Sequence, residues 1–307
     1  MIELKLEGFE LGLLPEAGGS VAWFRKDGVD ILRPAAAPLG AAPAPLDMAA
    51  FPLIPFSGRI RNGAFIWNGR AIRLAANFPP EQHAIHGHGW QLGWEVTHIA
   101  PSAVTLQYRH EGGDWPWPYL AEQRFVLSRG GLSLDLSLTN LGEEAMPAGI
   151  GWHPYFPRGD ARLSARLPYR WEPDETLVPV RRIDCEHGRE AGFPGAIDGL
   201  DVDHPFEMED GIFEIIWPER QLKLRLHTDD RLRFLILYVP PGQDFFCAEP
   251  ASHVPDMVNL TAPARDTGLT RLEPGEQLRC SLSLWAETLP EMAENETSET
   301  ERHAPVR

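Results

Sequence analysis

The sequence predicts an all-β protein, and three observations carry that expectation. Apolar and polar residues alternate with period two from end to end. No segment of comparable length shows the i, i+3, i+4 spacing of an amphipathic helix. The chain holds 28 glycines and 29 prolines, which punctuate the alternating runs as short strands joined by turns require. There is no repeat at a fixed short period, which disfavours a propeller or solenoid.

The first residues, "MIELKLEGFELGLL", alternate apolar and acidic positions and lack the basic flank and apolar core of a signal peptide. "RPAAAPLGAAPAPLD" (33–47) reads as a low-complexity connector within one domain, because strand patterns on either side look alike. "AEQRFVLSRGG" and "GLSLDLSLTN" form a hairpin turning at Arg129-Gly130-Gly131, with Leu132, Leu134, Leu136 and Leu138 on one face. "QLKLRLHTDDRLRFLILYVP" repeats that design around Asp229-Asp230, its second strand more continuously apolar than its first. "EQLRCSLSLWAE" places Leu278, Cys280, Leu282 and Leu284 on one face. We expect one domain over 1–286, followed by a polar, disordered tail over 287–307.

At 307 residues with 43% hydrophobic and 23% charged residues, the chain has ample material for a core. A formal charge of -16 argues against general affinity for nucleic acid or anionic membrane. No stretch approaches the ~18 consecutive apolar residues of a membrane-spanning helix. Cys185, Cys247 and Cys280 are an odd number without motif spacing, which fits a reducing compartment, so a soluble, unprocessed cytoplasmic protein is expected.

Four polar points stand in unusual surroundings: Arg59 in "FPLIPFSGRIRNG", three histidines in "HAIHGHGW" (83–90), His153 in "GIGWHPYFPR", and Glu249 in "FFCAEPASH". Each has a plain structural alternative. Arg59 or Arg61 can be a solvated cation at a strand end, and His153 a core histidine donating to a carbonyl. Glu249 is harder to dismiss, because a carboxylate between "FFCA" and proline is costly if buried without partners.

His86-Gly87-His88 invites a metal reading of the cupin kind, but that pattern wants a glutamate three or four residues after the second histidine. Here Leu92 and Gly93 stand at those places and Glu95 comes too late, so no metal is expected. With Gly87 and Gly89, the segment reads as a turn that brings one or two donors close to a ligand. His153 and Glu249 then form a possible acid and base pair, with Arg59 and His86 as fixed donors. Trp90, Trp115, Trp117 and Trp152 are candidates either for an aromatic wall or for the core, and such equipment suits a sugar.

At these residues the chain resembles the aldose 1-epimerase (mutarotase) family, from about "GGSVAWF" to "LSLWAE". The resemblance rests on the ordered series "SGRIRNGAFIWNG", "HAIHGHGW", "GWHPYF" and "CAEP". It implies one large β-sandwich of the galactose mutarotase-like kind, a sugar cleft on one sheet and no cofactor. It also implies that His153 is the acid, Glu249 the base, and Arg59 and His86 substrate holders. In "LDVDHPF", Asp203 is the better match to a hydroxyl-binding aspartate and Asp201 the other. Trp152, beside His153, is assigned to substrate binding.

The reaction so implied interconverts the anomers of a free aldose, a small-molecule sugar, with the chain working as a monomer or homodimer. Ring opening takes a proton from the anomeric hydroxyl and gives one to the ring oxygen, which we expect of groups on opposite sides of the breaking bond. Three other readings stay open. They are a hexose-phosphate mutarotase with Arg61, Arg70 and Arg73 as the phosphate clamp, a noncatalytic carbohydrate-binding module, and the cupin-like metalloenzyme that the histidine spacing disfavours. One departure stands out: Gly58 occupies the place where better-known sugar mutarotases carry asparagine. From it we expect a hydroxyl preference shifted away from galactose, or a cleft widened for a larger or modified sugar.

Overall fold

The structure, a computed structural model, describes residues 1–36, 44–185 and 195–290. Among these, two large antiparallel sheets of eleven and nine strands dominate, so the all-β expectation holds. The eleven-stranded sheet runs from the N-terminal hairpin Ile2–Leu6 and Phe9–Leu14 through Ala50–Leu53, Gly151–Pro157, Phe245–Ala251 and Phe234–Val239 to Val202–Glu207 and beyond. The other sheet centres on Tyr119–Ser128, Gly131–Asn140, Gln277–Thr288 and Leu222–Thr228. No helix among the described residues is long and apolar enough to cross a membrane.

The two sheets pack face to face, as strands with one apolar side must to bury it. Phe156 of the larger sheet lies 6.4 Å from both Phe213 and Trp217 of the smaller, and one apolar cluster takes in alternate residues of both. Leu132, Leu134, Leu136 and Leu138 all point into it, as do Leu278, Cys280, Leu282 and Leu284. The hairpin between Tyr119–Ser128 and Gly131–Asn140 closes where Ser128 pairs with Gly131, leaving Arg129-Gly130 as the turn.

One expected hairpin does not form. Leu222–Thr228 belongs to the nine-stranded sheet and Phe234–Val239 to the eleven-stranded one, so the chain crosses between layers at Asp229-Asp230. The Asp229 carboxylate caps that crossing, accepting from the backbone N–H of Arg231, Leu232 and Ser281 at 3.0, 3.3 and 2.6 Å. Both strands carry the apolar material of a hairpin, and alternation alone does not say which sheet receives each.

The last strand runs to Thr288, two residues past the expected boundary. Of the expected tail, 291–307 lies outside the described residues, as does the 37–43 portion of the connector.

Both faces of the larger sheet are covered at its centre, which explains the nearly continuous apolar runs "FLILYV" and "FFCA". In Gly151–Pro157, Trp152 and Phe156 face the inter-sheet core while Tyr155 joins Phe51, Leu53, Ile85, Trp90 and Cys247 in a second cluster on the outer face. His153 shares that outer face by the two-residue period of the strand. The segment from 54 to 90 folds over it, fastened by Ile54 O, which accepts from the N–H of His88 and of Gly89 at 3.0 Å each.

Candidate active site

Strand register alone assembles the floor of this outer face. Asp203 pairs with Tyr238, Tyr238 with Cys247, and Cys247 with Tyr155, which sets one row of side chains across four strands. Two residues along, Ile236 pairs with Glu249 and Phe51 with His153. The register joining Gly151 to Ala251 and Tyr155 to Cys247 sets His153 opposite Glu249 between them. Residues two apart on a strand share a face, so both rows line the same side.

His153 Nε2 lies 3.2 Å from Glu249 Oε1, and both side chains are almost wholly buried, 8% and 4% exposed. The imidazole sits between Phe51, at 4.5 Å between ring centroids, and Tyr155, at 4.8 Å. Its Nδ1 is buried and has no hydrogen-bond partner among the described residues. Burial pushes the His153 pKa down to about 3, and pushes Glu249 well above the carboxylate range with help from the nearby Asp203 charge. Each group is thus driven toward its uncharged form.

His86 comes from the turn expected of "HAIHGHGW": its φ is 59° and that of Gly87 is 66°. The Gly58 N–H donates to His86 Nδ1 at 3.0 Å, so the neutral ring carries its proton on Nε2. Burial, with His153 and Arg59 nearby, keeps the His86 pKa well below the usual histidine value, and the ring stands edge-on to His153 at 5.3 Å. His88 goes elsewhere, to Asp114 at 3.2 Å and a stack on His110, so the two imidazoles of the motif do not converge.

Arg59 is held by Glu81 at 2.9 Å and approaches Asp203 at 3.9 Å. Burial pulls Glu81 up, but hydrogen bonds from Arg59 and the His83 backbone outweigh it and keep that carboxylate below its ordinary range. Between the two aspartates of "LDVDHPF", the structure favours Asp203. Asp201 is exposed, outside the strand Val202–Glu207, beside a different surface depression with Arg158.

Trp152 departs from expectation. It is fully buried on the inter-sheet side of its strand, because adjacent strand residues point to opposite faces and His153 takes the outer one. Trp115 and Trp117 also belong to the large core cluster, packed against Phe56, Phe65 and Trp67, and of the four tryptophans only Trp90 joins the outer-face cluster. Sequence reasoning missed Phe51, Tyr155, Tyr238, Cys247 and Glu81. The period-two spacing of Tyr155 from His153 and of Cys247 from Glu249 was the available signal for two of them.

Among the described residues one trio of possible metal ligands comes together: His153, Cys247 and Glu249 each place a ligand atom within 4.8 Å of the others. It is not the His86-Gly87-His88 motif singled out by spacing. All three members lie on the paired strands Gly151–Pro157 and Phe245–Ala251.

A buried imidazole and carboxyl in contact, ringed by Arg59, Asp203 and the Nε2–H of His86, are equipped to move protons on a polyhydroxyl ligand. Residues 9–285 match the family model for aldose 1-epimerase. The chain belongs to the aldose 1-epimerase family. A family relative, the uncharacterized protein YphB of Escherichia coli (strain K12), is 30% identical over 285 residues, 89% of this chain and 94% of its own. The crystal structure of a candidate aldose 1-epimerase from Escherichia coli K12 superposes with a TM-score of 0.84 at 29% identity, covering 94% of this chain and 98% of that one. A galactose mutarotase-like protein from Clostridium acetobutylicum shares the family fold at a TM-score of 0.82 and 18% identity, covering 94% and 95%.

Proposed function

We propose that this member of the family interconverts the α and β anomers of a free aldose by acid–base ring opening and closure, without a cofactor. The observation that carries the reading is the buried contact of His153 Nε2 with Glu249 Oε1 at 3.2 Å. A noncatalytic binding module gains nothing from two opposed titratable groups so deeply desolvated, whereas a proton-transfer site needs them.

The pair stands side by side on neighbouring strands, with His153 Nε2 and Glu249 Oε1 3.2 Å apart. The chemistry allows this, because the anomeric O1 and the ring O5 are both bonded to C1, and one flank of the sugar presents both. Hydroxyl donors of a bound sugar favour the charged carboxylate, so the proton moves from Glu249 to His153. Glu249 then takes the proton of O1–H while His153 gives its proton to O5, and the C1–O5 bond breaks to leave an open-chain aldehyde. After rotation about C1–C2, O5 attacks the other carbonyl face, His153 recovers the proton from O5, and Glu249 returns one to O1. Arg59, Asp203 and His86 Nε2–H hold the remaining hydroxyls.

Charge around the cleft supports an unphosphorylated substrate. Arg61, offered as a phosphate clamp, is engaged by Asp174 at 2.8 Å and Asp256 at 3.8 Å, and Arg70 and Arg73 are exposed on a separate two-stranded hairpin. We place the protein in the cytoplasm, which its three buried cysteines, an odd number without motif spacing, fit.

The test is a panel of freshly dissolved single anomers, with and without 6-phosphates, followed by polarimetry or NMR exchange. Acceleration of an unmodified aldose in proportion to enzyme is expected. If no unmodified sugar is accelerated, the proposal fails.

A further inference from the structure

A groove of about 510 Å³ opens beside the catalytic pair and shares Arg59 with it. Its walls carry two large apolar side chains that water reaches freely, Phe78 at 39% and Leu177 at 40% exposure. Glu81 and Glu175 stand among them. Nothing in the chemistry of one sugar ring at His153 and Glu249 requires Phe78, Leu177 or Glu175.

The groove is built rather than incidental. Leu177 has φ of 61°, a left-handed conformation that costs a leucine energy, and its exposure returns little of that by burial. The turn that holds it is tied down by Asp174, whose carboxylate accepts from Thr176 N at 2.9 Å, Thr176 Oγ1 at 2.7 Å and Arg61 at 2.8 Å. On the facing wall Phe78 meets Trp90 edge-on at 6.0 Å, Trp90 stacks on Phe51 at 5.4 Å, and Phe51 lies 4.5 Å from His153. An unbroken series of rings therefore leads from the imidazole to the groove.

We infer that this groove is a second sugar subsite, so that the preferred substrate is the reducing end of a disaccharide or longer saccharide. The inference rests on the function proposed above. Anomerisation needs C1 free, so an added ring must be linked through another hydroxyl of the reacting sugar and extend away from the His153–Glu249 pair. Phe78 and Leu177 offer apolar surface to the C–H faces of that second ring, and Glu175 and Glu81 offer acceptors to its hydroxyls. The carboxylates also set the chemistry of the occupant, which is neutral rather than phosphorylated or otherwise anionic.

The test measures binding by calorimetry and anomer exchange by NMR for maltose, cellobiose, lactose, isomaltose and melibiose against glucose and galactose. At least one disaccharide should exceed its reducing-end monosaccharide by about tenfold or more in affinity and kcat/KM. Phe78→Ala should abolish that preference while leaving monosaccharide exchange unchanged. Leu177→Asn, which suits the left-handed backbone, should do the same and guards against a misfolded first variant. If no disaccharide is preferred, or the preference survives both variants, the subsite is overturned while monosaccharide turnover keeps the proposed function standing. Tight, Phe78-dependent disaccharide binding without exchange of any sugar would instead keep the subsite and overturn the proposed function, and absence of binding to every sugar would overturn both.

Discussion

Gly58 and His86 hold each other through two hydrogen bonds: the Gly58 N–H donates to His86 Nδ1 at 3.0 Å, and the His86 N–H donates to Gly58 O at 2.9 Å. Both residues have positive φ, 68° and 59°. The arrangement fixes the tautomer and direction of the His86 ring, and Pro255 closes it tightly from outside.

That closure changes what Gly58→Asn should do. A Cβ at residue 58 would lie within 2.4 Å of Pro255 Cγ, so asparagine does not fit as a simple added amide. The expected gain in galactose or glucose turnover is replaced by destabilisation. Forced overpacking typically costs about 1–3 kcal/mol, a fall in melting temperature of roughly 2–10 °C. Turnover of all sugars should fall together as His86 is displaced. Thermal melting and the sugar panel check this, and a stable variant with selectively raised galactose activity would contradict it.

Acid should destabilise the fold through a histidine outside the proton-transfer pair. His253 is buried, its Nε2 accepts from Ser57 N–H at 3.0 Å, and burial lowers its pKa to about 4. From pH 6.5 downward the unfolded chain takes up a proton that the folded ring refuses, so stability is complete above about 6.5 and declines until about 4. The decline from this group is on the order of 3 kcal/mol. Urea midpoints from pH 7 to 4 measure it, and His253→Gln, which keeps an acceptor for Ser57, should flatten the slope. An unchanged slope in that variant would remove His253 as the cause.

Chelators should leave activity intact, because the proposed chemistry routes no proton or charge through a metal. Added Zn²⁺ should instead inhibit, since His153, Cys247 and Glu249 offer it three ligands and two of them are the groups that move protons. Inhibition should be competitive with sugar and weaker in Cys247→Ser. Activity lost to EDTA and restored by one divalent ion would overturn this.

The β class, the leucine faces and the site segments were legible because each is a local pattern. His153, Glu249, Arg59, His86 and Asp203 do converge, carried by motifs whose residue types are chemically unusual for their surroundings. The facing of Trp152 was not legible. Its strand is buried on both sides, and "GWHPYFP" shows no polar alternation to say which side is which. The crossing at Asp229-Asp230 failed for a similar reason, since a hairpin and an inter-layer crossing use the same turn residues. Tyr238 and Glu81 were missed because cross-strand register and loop packing, rather than sequence proximity, bring them to the cleft.

The central claim is that Glu249 and His153 exchange protons with O1 and O5, and anomer exchange by Glu249→Gln tests it most directly. Glutamine preserves shape and hydrogen bonding but takes up no proton. The variant should fold, bind sugar and turn over more slowly by roughly 10²–10⁴-fold, the usual contribution of a positioned general base. A folded variant that equilibrates pure α anomer at a near-normal rate would remove Glu249 from the mechanism and contradict the account.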